Sequence, residues 1–291
     1  MAGAGNLQDI KKRVKSITGI EHITNAMKLV SVAKLRRARA TLDATRDHFH
    51  FVTESIEDIF NSTDEIPSKY IHKSKDAKPK SPCYVIITSN RGLAGSFNTN
   101  IIKKAEAEIR ESAAGASIIA IGGKGRDYFK RRGYAILGEH VRPPESISFV
   151  ETHEITKPII DLYDEEDVDE IVLIYTSFRS AVEQRVTSVK LLPIEIEPDP
   201  DVPATGKFVE YDPSAVAVFD YLVPKYVEMM IYQAIVESAT CEHAARHMAM
   251  ENATDNAQQI IADLNLFYNR ARQDAITRQI IEVVSGAEAL Q

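Results

Sequence analysis

The chain has 291 residues, 44% of them hydrophobic and 26% charged, and carries a formal net charge of -7. That length allows one or two domains with a sizeable buried core, and the acidic balance excludes a protein built to follow nucleic-acid phosphates along its whole surface. Two cysteines, Cys83 and Cys241, fall in different elements and cannot form a disulfide framework, which points to a reducing compartment. No apolar run reaches the roughly 18 residues that span a bilayer, and the start of the chain has no signal-peptide core. Together these features predict a cytoplasmic protein whose membrane link, if it has one, runs through a partner.

Residues 7–60 contain no proline, and Gly19 is their one glycine. Apolar residues recur at Ile10, Val14, Ile17, Ile20, Ile23, Met27, Val30 and Ala33, the three-to-four spacing of a single helical stripe. The pattern predicts an N-terminal helix over 1–60, its stretch 7–60 roughly 80 Å long at helical rise, whose narrow stripe suits a coiled-coil seam. Ten Lys or Arg stand against three acids between Met1 and Arg46. The cluster of Lys34, Arg36, Arg37 and Arg39 reads either as a solvated face or as a surface for an acidic partner, since positive charge on a rigid rod steers association.

Residues 61–81 carry Pro67 and Pro79 among Ser and Lys and read as a linker. Over 82–197 short β-branched runs alternate with helical segments. Strands are predicted at 84–88, 117–121, 134–137 and 171–175, with helices at 97–113, 126–132 and 153–163, and 184–197 returning antiparallel beside the last strand. That alternation argues for a mostly parallel sheet covered on both faces. Pro198, Pro200, Pro203 and Gly206 mark a second linker over 198–211. Beyond Pro213 a helix is predicted over 212–291, interrupted by no glycine before Gly286. Its seam reads at Val216, Phe219, Val223 and again at Ile260, Leu264, Phe267 and Ala271. The two terminal helices bury their stripes most readily against each other, giving a fold of mixed class: a long antiparallel two-helix coiled coil plus a central Rossmann-like α/β domain.

Three stretches resemble chemistry without completing it. The turn 89–96 follows a strand and opens a helix, where α/β folds bind phosphate, but it lacks the Gly-x-Gly-x-x-Gly spacing. Gly122, Gly123, Lys124 and Gly125 lack the Ser or Thr and the earlier glycine of a phosphate loop. His243 and His247 stand four apart on one helix, but the glutamate precedes the first histidine and no third ligand follows; they read as a helical surface pair. No nucleophile or acid/base couple is evident. The residues therefore predict no catalytic residue, no cofactor and no metal.

Several separated motifs resemble the gamma subunit family of F-type ATP synthases. Ile23, Thr24, Asn25, Ala26, Met27, Lys28, Leu29 and Val30, with Ala33 to Ala38, are similar to its N-terminal helix, and 89–98 to its first Rossmann-like turn. Glu242 to Arg246, Met250 to Ala257, and the ending from Asn269 through Gln273, Ile276, Thr277 and Ile281 to Ala287 are similar to its C-terminal helix. Gln279 stands where the family usually has glutamate, Asn90 where aspartate is common and Ala94 where many members carry cysteine. The paired-cysteine insert of chloroplast members is absent, which argues against thiol regulation.

The resemblance implies a non-catalytic rotor subunit on the cytoplasmic side of a bacterial plasma membrane, standing as an asymmetric shaft in a ring of three alpha and three beta subunits and coupling ion flow to ATP synthesis or hydrolysis. It implies ring contacts at Met27, Lys34, Arg36, Arg37, Arg246, Arg272, Gln273 and Thr277, a seat on the c-subunit ring near Lys207, Val209 and Glu210, and an epsilon subunit held by the α/β domain. The competing readings are a Rossmann-like nucleotide-binding enzyme with helical extensions, which requires nucleotide binding by the isolated chain, and a coiled-coil scaffold with no rotary role.

Overall fold

The computed structural model describes residues 2–62, 67–71, 81–112, 115–180, 183–194 and 211–288. Helix α1 runs Ala2–Ser62 and helix α5 Ala215–Glu288. Between them in sequence lie β1 (Pro82–Ile87), α2 (Phe97–Glu111), β2 (Ser117–Ile121), α3 (Gly123–Arg131), β3 (Ala135–His140), a 3-10 turn (Pro144–Ser146), α4 (Phe149–Asp164), β4 (Glu170–Phe178) and β5 (Gln184–Leu192). The chain divides into two compact units, Met1–Val32 with Arg246–Gln291, and Ala33–Ala245.

In the larger unit, five strands form one sheet in the order β3-β2-β1-β4-β5. The β1–β2, β2–β3 and β1–β4 pairs are parallel and β4–β5 is antiparallel, as the alternation of runs predicts. Period-two alternation in β1 sends Cys83, Val85 and Ile87 to one face and Tyr84 and Ile86 to the other. The first face packs on Ile155 and Ile159 of α4, Ile56 and Ile59 of α1, and Phe219, Val223, Val227 and Ile231 of α5. Against the second lie Phe97, Ile101, Ala105 and Ile109 of α2, whose spacing makes one apolar stripe, and Phe129 of α3. Helix α4 starts on a capping box: the Ser148 hydroxyl accepts from the Glu151 amide, and Glu151 accepts from the Ser148 amide at 2.9 Å.

The middle of α5 departs from the single stripe read in the sequence. From Val227 to Ala244 it is buried on nearly every side, because it is a core helix of the sheet here. Its side chains also hold the end of β4: Glu237 accepts the Phe178 amide at 3.1 Å, Ser238 the Thr176 amide at 3.3 Å, and Cys241 Sγ lies 3.6 Å from the Thr176 carbonyl. Within the stretch read as a linker, Tyr70 is buried. Its ring stacks on Tyr163 at 6.0 Å and its hydroxyl donates to Asp164. Residues 63–66, 72–80 and 195–210 lie outside the described residues, and with them most of the two expected linkers.

In the smaller unit the two helices run antiparallel. The Thr254 hydroxyl donates to the Thr24 hydroxyl at 2.8 Å, and Gln258 Nε2 donates to Glu21 at 3.2 Å. A three-four alternation of covered positions runs through Ile10, Val14, Ile17, Glu21, Thr24, Lys28 and Ser31 on α1, and Met250, Thr254, Ala257, Ile261, Leu264, Tyr268, Ala271 and Ala275 on α5, with Thr18, Asn25, Met27 and Ala253 partly covered at its edges. This is the heptad seam of a coiled coil. It corrects the stripe read from apolar character alone, for Ile20, Ile23 and Val30, like Ile260 and Phe267, are exposed. Small and hydroxyl side chains hold the seam instead, with Thr24 and Ser31 almost fully covered.

Candidate functional site

The sheet order places a topological switch between β1 and β4, where open α/β folds bind ligands beyond the carboxyl ends of their strands. On the other side of β1, the turns that follow β1 and β2 are bonded to each other. The Gly123 amide donates to Asn90 Oδ1 at 2.7 Å, the Lys124 amide to the Ser89 carbonyl at 3.0 Å, and the Gly125 amide to Thr88 Oγ1 at 2.9 Å. The amides that open α3, the ones a phosphate would require, are thus already satisfied. Gly122 sits at a φ of 103°, a conformation glycine adopts without strain. The glycines of this stretch permit close packing of turn against turn.

Asn90 is the bridge between these turns. Its Nδ2 donates to the Val141 carbonyl at 2.7 Å while its Oδ1 accepts from Gly123. A carboxylate could accept the second bond but not donate the first. Asn90→Asp is therefore expected to destabilise the α/β unit by about 1–3 kcal/mol, the cost of an abandoned hydrogen bond with an oxygen facing an oxygen. Urea denaturation of the full chain measures this; an unchanged midpoint would show that the Val141 bond contributes nothing.

On the α1 side of the same unit, Lys34 and Arg37 lie one turn apart and face a cavity of about 190 Å³. The other walls are Pro144, Glu145 and Ile147 of the 3-10 turn region and Tyr232, Val236, Ala239 and His243 of α5. Lys34 Nζ bonds Glu145 at 2.8 Å, and His243 Nε2 lies 4.0 Å from the same carboxylate. Burial alone would raise the Glu145 carboxyl, but its hydrogen bonds to Lys34 and to backbone, with His243 nearby, hold it below the usual range. Glu145 and His243 carry no signal in the sequence: the loop from Val141 to Ser148 has no periodicity, and the spacing of His243 and His247 predicts a surface pair. It is instead almost fully buried, as is Glu242, because this stretch of α5 lies in the core. Among the described residues no cluster of His, Cys, Asp and Glu could hold a metal ion.

The remaining sequence-predicted positions are separated. Arg36 is exposed and lies outside the cavity wall. In the smaller unit Met27 and Arg246 are half-buried, whereas Arg272, Gln273 and Thr277 are exposed, the last two on one helical face by their spacing of four. Lys207, Val209 and Glu210 lie outside the described residues. Burial pushes the Cys83 thiol up to about 11 and raises that of Cys241 further, so neither is a reactive thiolate.

An antiparallel two-helix coiled coil and a Rossmann-like α/β unit are the two parts that the resemblance in the sequence implies. The ATP synthase family model matches residues 6–290, and the chain belongs to the ATP synthase gamma chain family. It is 46% identical to the ATP synthase gamma chain of Alkaliphilus metalliredigens, covering 98% of this chain and 99% of that one. It is 39% identical to that of Ruminiclostridium cellulolyticum, covering 99% and 100%. Among solved structures, a chain of the Euglena gracilis mitochondrial ATP synthase OSCP/F1/c-ring assembly superposes with a TM-score of 0.71 over 99% of this chain and 95% of that chain, at 18% identity. The likeness in fold therefore persists where the sequences have diverged.

Proposed function

We propose that the chain is the rotor of an F-type ATP synthase, with the coiled coil standing inside a ring of alternating alpha and beta subunits, the α/β unit holding the epsilon subunit, and residues near Lys207, Val209 and Glu210 seated on the c-subunit ring. The observation that carries this reading is family membership over 6–290, joined to a two-helix coiled coil whose exposed outer face gives three otherwise equivalent catalytic subunits different contacts. An asymmetric shaft that contacts each beta subunit in its own way makes nucleotide affinity depend on shaft angle, which is differential binding to pre-existing conformations. The shaft itself is not catalytic. By resisting or permitting rotation it regulates both ATP hydrolysis and ion flow.

Outward-facing Ile20, Ile23, Leu29 and Val30 on α1, and Ile276, Ile280, Ile281, Val283 and Val284 on α5, support enclosure by other subunits, since contiguous exposed apolar residues mark interaction surfaces. Among the described residues no helix is long and apolar enough to cross a membrane. A peripheral position on the cytoplasmic face of a bacterial plasma membrane, reached through partners, fits that observation. The enzyme reading is disfavoured by the occupied amides at the start of α3.

A bead on the α/β unit tests the rotor reading. Both native cysteines are buried, so a maleimide will select Lys103→Cys, an exposed position on α2. With the alpha and beta ring fixed to glass, MgATP is expected to drive the bead in one direction; hydrolysis with a stationary bead would overturn the proposal.

A further inference from the structure

The rotor reading uses Lys34 and Arg37 as side chains toward the ring but gives no role to the cavity behind them between α1, the 3-10 turn and α5, whose lining has the composition of a small-ligand site. Its floor is apolar, with Ile147, Tyr232, Val236 and Ala239, while Lys34 and Arg37 stand at the α1 wall. Lys34 is neutralised by Glu145 at 2.8 Å. Arg37 makes no ion pair with another described residue, so its guanidinium is a positive charge on the lining that Glu145, already bonded to Lys34, does not pair with. A wall of this kind favours a monoanion with an apolar body, because buried apolar surface supplies affinity and one charge-assisted contact supplies orientation. A volume of about 190 Å³ suits one aromatic ring with a carboxylate; a dry apolar cavity of about 150 Å³ in another protein admits benzene.

We propose that this cavity binds a small aromatic or branched-chain monocarboxylate, its apolar body on Tyr232 and Val236 and its carboxylate on Arg37. Bound there, such a molecule touches both long helices and the turn that joins β3 to α4, so it favours the conformation in which these three stay packed.

Benzoate and its neutral isostere benzamide are the probes, titrated into the purified full chain by calorimetry, with the methyl signals of Val236 and Ala239 followed by NMR. A nine-atom ligand is expected to bind with a dissociation constant of about 0.1–1 mM, with benzamide at least tenfold weaker. Arg37→Gln, an exposed change that removes no ion pair, should weaken benzoate about tenfold and leave benzamide unchanged. Ala239→Leu fills the cavity from α5 and Ala38→Leu from α1; each should abolish both interactions, and the α1 variant serves if the α5 variant perturbs folding. Equal affinity for benzoate and benzamide, or benzoate binding that survives both filling variants, would overturn the proposal.

Discussion

Gly122→Ala is expected to unfold the α/β unit or leave it marginal, with a loss of about 2–6 kcal/mol. Two costs combine. The backbone at 122 has a φ of 103°, a region L-residues occupy only with strain of order 1–3 kcal/mol. A Cβ there would also fall inside the contact distance of the Thr88 carbonyl oxygen, with Thr88 C at 2.6 Å and Oγ1 at 2.8 Å. These are backbone and short side-chain atoms that cannot swing away, and overpacking of this kind adds about 1–3 kcal/mol. Against a typical total stability of about 5–15 kcal/mol the sum is large. Thermal denaturation of the purified full chain provides the measurement. A variant that melts with the wild type would mean that the two turns are not packed as described, and would reopen the space for a phosphate.

Replacing Arg36, Arg37 and Arg272 together by alanine is expected to lower ATP hydrolysis by the reconstituted complex about a hundredfold, while each single change costs less than about fivefold. All three are exposed and make no ion pair with another described residue, so the isolated chain should keep its melting temperature. Any loss then belongs to contacts with partners. A partly exposed ion pair contributes up to about 1 kcal/mol, which is roughly a factor of five in an equilibrium; three independent contacts multiply to about a hundred. Complete loss of activity from Arg37→Ala alone would contradict this distributed account, as would a triple variant with wild-type turnover.

The α/β unit was legible because its strands are short, β-branched and buried on both faces. The run Ser117–Ile121 predicts β2 to the residue, and the antiparallel return of β5 follows from its place beside a buried run. The coiled-coil seam was harder. A reader of hydrophobicity follows Ile17 to Ile20 and Ile23, but the heptad passes through Glu21, Thr24, Lys28 and Ser31. Apolar residues on the outer face and small polar ones on the seam invert the usual pattern, and only the strict three-four spacing distinguishes them. On α5 the seam passes through the expected Leu264 and Ala271 but through Ile261 and Tyr268 instead of Ile260 and Phe267, because at both places two apolar or aromatic residues stand side by side and hydrophobicity does not choose between them. His243 has the spacing of a surface residue but is buried, because the core character of α5 depends on a sheet built from residues far away in sequence. Glu145, in an aperiodic loop, gave no local signal of its pairing with Lys34, 111 positions earlier.

The most direct test of the central claim is native mass spectrometry of the tagged chain purified from its own membranes in mild detergent. The rotor account predicts one copy of this chain for every three alpha and three beta subunits. Recovery of the chain alone or paired with itself, carrying a bound nucleotide, would contradict it.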